Sequence, residues 1–203
     1  MTDHNGGTPM GRPKAGDADA PTKMQEAFWQ LLAAKPYDQI TVSDITRTSG
    51  LNRSAFYYHY ANIPELADDA IAALYAKTAV STFIARIIHS PTDATAEEGY
   101  IRFISDQDYL ASARKVILIA GPHSTPGLVR QLKDFIIEVW LRILMIDPKT
   151  LDDGQRATLE FAVSGILGIL GWASSAGNPR DIAPYIRQSH IPETIAQLVN
   201  SLK

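Results

Sequence analysis

The tightest constraint on this chain lies between Thr41 and Tyr60, where one helix must stop and another start within a few residues. The stretch reads TVSDITRTSGLNRSAFYYHY. Thr41-Val-Ser-Asp44 is a helix-start pattern, a hydroxyl cap followed three residues on by an acid. Gly50 stands where the chain must turn sharply with a positive φ, which glycine tolerates. Asn52 can cap a third helix that runs to about Tyr60. Two helices joined by a short glycine turn form a helix-turn-helix. Its expected core is Ile45, Leu51 and Phe56, packed against Phe28 and Leu32 of a preceding helix. Phe56 and Tyr60 fall four apart and are expected inside. Tyr57, Tyr58 and His59 cannot all share that face.

The remaining periodicity is helical. Thr22 precedes a helix with Met24, Phe28, Leu31 and Leu32 on one face, ended by Pro36. Asn62-Ile-Pro-Glu65 opens a long fourth helix reaching about His89, and Thr95-Ala-Glu-Glu98 marks another start. The best strand candidate is 116–120, but Leu110, Ala113, Val116, Ile117 and Ala120 carry a helical pattern across it. Thr125 opens a helix bearing Val129, Leu132, Ile136, Val139 and Ile143. Asp152-Asp-Gly-Gln155 opens another over about 153–176, and Ile191, Ile195, Leu198 and Leu202 stripe a last one. The expected fold is therefore all-α: a disordered N-terminal arm over 1–20, a three-helix helix-turn-helix domain over 21–66, and a larger helical domain over 67–203.

Composition excludes several functions. Cysteine is absent, so there is no disulfide, thiolate zinc site or cysteine nucleophile. The five histidines have no metal-ligand spacing, and no phosphate loop or nucleophile elbow occurs. Asp68-Asp69, Glu97-Glu98 and Asp152-Asp153 are adjacent pairs, whose members diverge on a helix. No enzyme chemistry and no cofactor are expected. The N-terminus lacks the apolar core of a secretory signal. Phe161 to Pro179 is uncharged and long enough to span a bilayer. It holds Ser164, Ser174, Ser175 and Asn178, and no aromatic or basic belt flanks it, so no membrane span is expected. The net charge of -3 excludes a bulk polycation. Residues 1–63 carry six cations and six anions and are neutral. The other 13 cations and 16 anions place the negative charge in the helical body.

The segment 22–66 resembles the tetracycline-repressor (TetR) family of bacterial regulators. The resemblance rests on Ile45, Gly50, Leu51, Arg53, Phe56, Tyr57, His59, Asn62 and Leu66 at the family's relative spacings. It implies a ligand-responsive transcription regulator, with a repressor favoured and an activator left open, binding a palindromic double-stranded DNA operator as a cytoplasmic homodimer. Thr41 and Ser43 would bond phosphate, with Tyr57 and His59 on the backbone too. Arg53, Ser54 and Ala55 would open the recognition helix in the major groove, with Arg53 reading guanine. Tyr58 would reach a base edge or thymine methyl. The Gly11-Arg12-Pro13-Lys14 arm resembles minor-groove arms. The chain departs from the family at Thr46, where Ala is usual, at Ala55, often Thr, and at Ile63, commonly a phosphate-binding Lys. That last departure leaves open an alternative: a helical binding or interaction module whose DNA binding has weakened.

In the body, Gly165, Gly168 and Gly171 lie near one face of the uncharged helix, with Leu170 and Trp172 beside them. With Ile195, Leu198 and Leu202 of the last helix they would form a four-helix dimer interface, as the family usually does. The Gly165-to-Trp172 run followed by Gly177-Asn-Pro resembles a subgroup's C-terminal pattern. The small-molecule effector is unnamed by the sequence. Its candidate contacts are Tyr100, Arg102, Phe103, Tyr109, His123 and Trp140, with Arg102 or His123 suited to an anion.

Overall fold

The computed structural model describes residues 19–75, 107–175 and 191–202. Residues 1–18 of the expected arm, the fourth helix beyond Tyr75, the Thr95 start and the Gly177-Asn-Pro segment lie outside this range. Every regular element among the described residues is helical, so the all-α expectation holds.

Helix α1 (Ala20–Ala34) begins three residues earlier than expected, with Asp19 rather than Thr22 at the cap position. Pro21 in the first turn has no N–H to satisfy, and the Asp19 side chain at the cap position bonds no backbone N–H of the helix, pairing with Lys23 at 2.9 Å instead. Pro36 disfavours a helical residue before it, and Lys35 is extended at φ -153°, ψ 161°. A 3-10 turn (Tyr37–Gln39) leads to α2 (Val42–Ser49), α3 (Arg53–His59) and α4 (Ile63–Tyr75). At α4, Asn62 Oδ1 accepts from the Glu65 N–H at 2.9 Å. The Glu65 carboxylate accepts from Ala61 rather than Asn62, at 2.6 Å.

Phe28, Leu32, Ile45 and Phe56 are each at 0% exposure, as the sequence pattern required, and Leu51 packs half-buried beside them. Full burial of such a side chain stabilises by about 1.5–3 kcal/mol. That burial, rather than helix propensity, holds helices of seven or eight residues, which are marginal alone.

Helix α5 (Gln107–Ala120) carries 116–120 as helix. Helix α6 (Pro126–Leu144) is capped by Thr125, which accepts from the Leu128 N–H at 3.2 Å. Its buried face is Leu128, Leu132, Ile136, Trp140, Leu141 and Leu144. The expected stripe members Val129 and Ile143 are half-buried at its edge. The buried arc is broad because α6 packs on α4, α5 and α7 (Asp153–Ser175) at once. Asp152 and Gln155 close a reciprocal box at the start of α7, with bonds of 2.7 and 3.0 Å. Helix α8 (Ile191–Ser201) lies against α7. No described helix is long and apolar enough to cross a membrane.

The N-terminal helices are joined to the body at several points. Lys115 on α5 pairs with Glu26 at 2.7 Å and lies over the Trp29 ring. In the α5–α6 loop, His123 bonds the Leu32 carbonyl through Nδ1 at 3.0 Å, and its own carbonyl accepts from the Tyr37 N–H at 2.8 Å. A carbonyl only accepts, so Nδ1 carries the proton there. Gln131 on α6 donates to the Pro64 carbonyl and to Asp68 on α4. The expected boundary between residues 66 and 67 falls inside α4, an unbroken helix that serves both halves.

Candidate nucleic-acid interface

The candidate reader is built from the junction of α2 and α3. Thr41 caps α2: its hydroxyl accepts from the Asp44 N–H at 3.2 Å, and the Asp44 carboxylate accepts from the Thr41 N–H at 3.0 Å. The Thr41 hydroxyl also donates to Asp44, at 2.7 Å. Asp44 further takes Lys35 at 2.6 Å and Arg47. The Lys35 ammonium first, and then the Thr41 bonds, hold the Asp44 carboxyl far below the usual carboxylate range.

Gly50 turns the chain at φ +72°, the left-handed geometry expected of it. Leu51 then returns its N–H to the Thr46 carbonyl at 3.1 Å. Thr46 is buried and bonds the Ser43 carbonyl at 3.2 Å, so the family's usual Ala is replaced by a residue whose polar atom is satisfied locally. Asn52 caps α3, accepting from the Ala55 N–H at 2.8 Å.

The rear of α3 is locked. Phe56 is fully buried, and the Tyr60 hydroxyl donates to Asp69 on α4 at 2.5 Å. Gln25 on α1 donates to the same carboxylate oxygen at 2.8 Å. Burial, and then the bond to Asp69, push the Tyr60 hydroxyl well above its ordinary pKa. The front of α3 is open. Arg53 and Ser54 are exposed, with Tyr57 at 52% and Tyr58 at 79% exposure. At 100° per residue these four share an arc of about 140°. Ala55 is half-buried, as is His59, whose ring contacts those of Tyr58 and Tyr60.

Residues 26–70 match the family model described as bacterial regulatory proteins, tetR family. This chain carries a TetR-family helix-turn-helix domain. A relative of the same kind is the uncharacterized HTH-type transcriptional regulator YxbF of Bacillus subtilis (strain 168), 54% identical over 44 residues. The match takes in 21% of this chain and only 12% of that relative. Two solved structures are similar at lower identity. The TetR family repressor AlkX from Dietzia sp. strain DQ12-45-1b is 20% identical, with a TM-score of 0.43 over 90% of this chain and 97% of that one. The dihydroxyacetone kinase operon activator DhaS is 18% identical, with a TM-score of 0.36 over 90% and 93%.

Within the TetR-type reader, cations are unequal. Among the described residues up to Ile63, Lys23 pairs with Asp19, and Lys35 and Arg47 with Asp44. Arg53 has no carboxylate there. It meets the Ser43 hydroxyl at 3.4 Å, the Tyr57 hydroxyl at 3.3 Å and the Tyr57 ring at 5.9 Å. Thr41 differs from the sequence expectation: its only hydroxyl proton goes to Asp44, so it offers an acceptor-only phosphate no donor in this arrangement. Ile63 is half-buried against the core instead of presenting the family's usual ammonium.

The other expected sites are scattered. Tyr100, Arg102 and Phe103 lie outside the described residues, as does the side chain of Tyr109. Trp140 is buried at 5% exposure on α6, while His123 is bonded to α1. On α7, an added Cβ at Gly165 or Gly168 would meet nothing within 4 Å among the described residues, and Trp172 is exposed at 58%. Gly171 turns inward, where an added Cβ would lie 2.9 Å from the Ala120 carbonyl oxygen of α5. Leu202 is buried in its own chain and Leu198 half-buried. The side chains of Leu170 and Ile195 lie outside the described set. Phe161, 70% exposed, stands one turn before Gly165 on the open face. Sequence reading missed it, although its spacing of four from Gly165 was visible.

Proposed function

We propose that this TetR-type regulator is a ligand-responsive repressor that binds a palindromic DNA operator as a homodimer. The observation that carries the reading is the exposed front of α3, with Arg53 free of any carboxylate among the described residues. Arg53 contacts a base edge, the N-terminal end of α3 with Ser54 and Ala55 enters the major groove, and Ser43, Tyr57, Tyr58 and His59 border it. Residues 21–66 act as the reader and 67–203 as the sensing and dimerising body, in the cytoplasm. Phe161, Gly165, Gly168 and Trp172 supply the dimer face: small residues allow close approach, and the flanking aromatics add apolar area. Two copies then place their recognition helices about 34–36 Å apart, one DNA turn.

The effector binds in the helical body and shifts the population between two spacings of the readers, which requires unequal affinity for the two states. A nuclease footprint on the DNA beside the protein's own gene tests the reading. A symmetric protected site that is lost with Arg53→Ala supports it; no sequence-preferring protection refutes it.

A second reading is an interaction module with weakened DNA binding. The half-buried Ile63 in place of Lys, and a reader of zero net charge, favour it. Regulation that survives Arg53→Glu unchanged would establish it over the first.

A further inference from the structure

We propose that Ser43 and Tyr57 are positioning residues for Arg53, holding its guanidinium ready for one guanine in each operator half-site. The inference rests on the DNA-reading role of α3 and assigns these two hydroxyls a different task from phosphate binding.

The geometry is specific. Arg53 opens α3, and Tyr57 stands one turn later, so their side chains lie on one face. Arg53 Nη2 is 3.3 Å from the Tyr57 hydroxyl, and the guanidinium carbon is 5.9 Å from the ring centroid. Nη1 is 3.4 Å from the Ser43 hydroxyl on α2. The guanidinium is therefore held from both sides of the turn, by groups on two helices. Gly50 and the Asn52 cap fix the angle between those helices.

The chemistry is also selective. A guanidinium has five N–H donors. The two contacts use one donor on each Nη, which leaves three for a base. Both contacts are long for hydrogen bonds, so they orient the group and yield readily to the shorter bonds that guanine O6 and N7 offer. A hydroxyl can accept from arginine without neutralising it, whereas a carboxylate in the same place would compete with DNA. Lys35 and Arg47 of the same unit show that contrast, both bound to Asp44. A free arginine loses rotamer freedom when it docks, and holding it beforehand lowers that cost.

The test uses the full chain and a randomised double-stranded oligonucleotide library. The selected site is then remeasured with every base pair substituted in turn, across a salt series. Arg53→Ala is expected to erase the preference at one pair per half-site. Tyr57→Phe and Ser43→Ala should weaken the preference at that same pair about three- to tenfold, part of what a bidentate arginine supplies. Their salt slopes should match wild type, and Tyr57→Phe should add nothing to Arg53→Ala.

Uniform loss across all sequences, with the preference at that pair intact, would make Tyr57 a phosphate contact and overturn the proposal. A wild-type chain without any preference would instead refute the DNA reading itself. In that case 15N relaxation of the Arg53 Nε–H in the free protein still decides: an ordered side chain that loosens in Tyr57→Phe supports positioning, and an unchanged one overturns it.

Discussion

Replacing Gly171 with alanine sets helix propensity against packing. Gly171 lies inside α7, where alanine is favoured over glycine by about 1 kcal/mol. A Cβ there would lie 2.9 Å from the Ala120 carbonyl oxygen, closer than ordinary van der Waals contact. That oxygen is backbone at the end of α5 and cannot rotate aside as a side chain does. Overpacking of this kind costs about 1–3 kcal/mol. The expected net effect is a loss of about 0–2 kcal/mol, read as a lower urea midpoint at unchanged slope. Gly165 and Gly168 are the controls, since an added Cβ meets nothing within 4 Å among the described residues. Alanine at either position should stabilise the fold by about 1 kcal/mol in dilute monomer and weaken self-association in sedimentation. A Gly171→Ala variant stabilised by that same ~1 kcal/mol would refute the close approach of α5 and α7.

Asn52→Ala removes the α3 cap and should cost about 1 kcal/mol in chemical denaturation, with Thr41-side contacts unaffected. The Asp44 carboxyl is held below its ordinary range by Lys35 and Thr41, so the unfolded chain binds its proton first. Its contribution is complete at neutral pH and is lost as pH falls below about 4; acid titration of Asp44→Asn should lack that part of the slope. Ile63→Lys should raise non-specific DNA affinity and steepen the salt dependence from on the order of 4–6 released counterions per dimer, at ~0.9 per phosphate, by about two more. A wild-type slope near ~10 would contradict the sparse cation count. His123→Ala removes the bond to the Leu32 carbonyl and should cost about 0.5–1.5 kcal/mol in thermal unfolding.

Much of the reader was legible because its determinants are local. Thr41 and Asn52 act on backbone three residues away, as Thr125 does in the body, and Gly50 acts on its own dihedral. The core residues Phe28, Leu32, Ile45 and Phe56 followed from helical spacing. The Thr22 start was misplaced because Thr22 resembles a cap residue, whereas the helix already begins at Ala20 with Pro21 in its first turn. The effector site was the least legible. Its candidates lie on separate segments, and a residue such as His123 has the same local signature whether it binds a ligand or a neighbouring carbonyl.

The sequence by itself determined where α2, α3 and α6 begin, which face of each short helix is apolar, and that the reader is electrically neutral. These follow from interactions within a turn or two of chain and from simple counting. Tertiary structure alone decided which cation remains available and which glycine faces outward. Lys35 and Arg47 are taken by one carboxylate, while Arg53 finds a hydroxyl on another helix ten residues back. Gly165 and Gly171 look alike on one helix, but only Gly171 meets the end of α5. Periodicity specifies an angle around a helix; what stands at that angle depends on a segment far away in the chain.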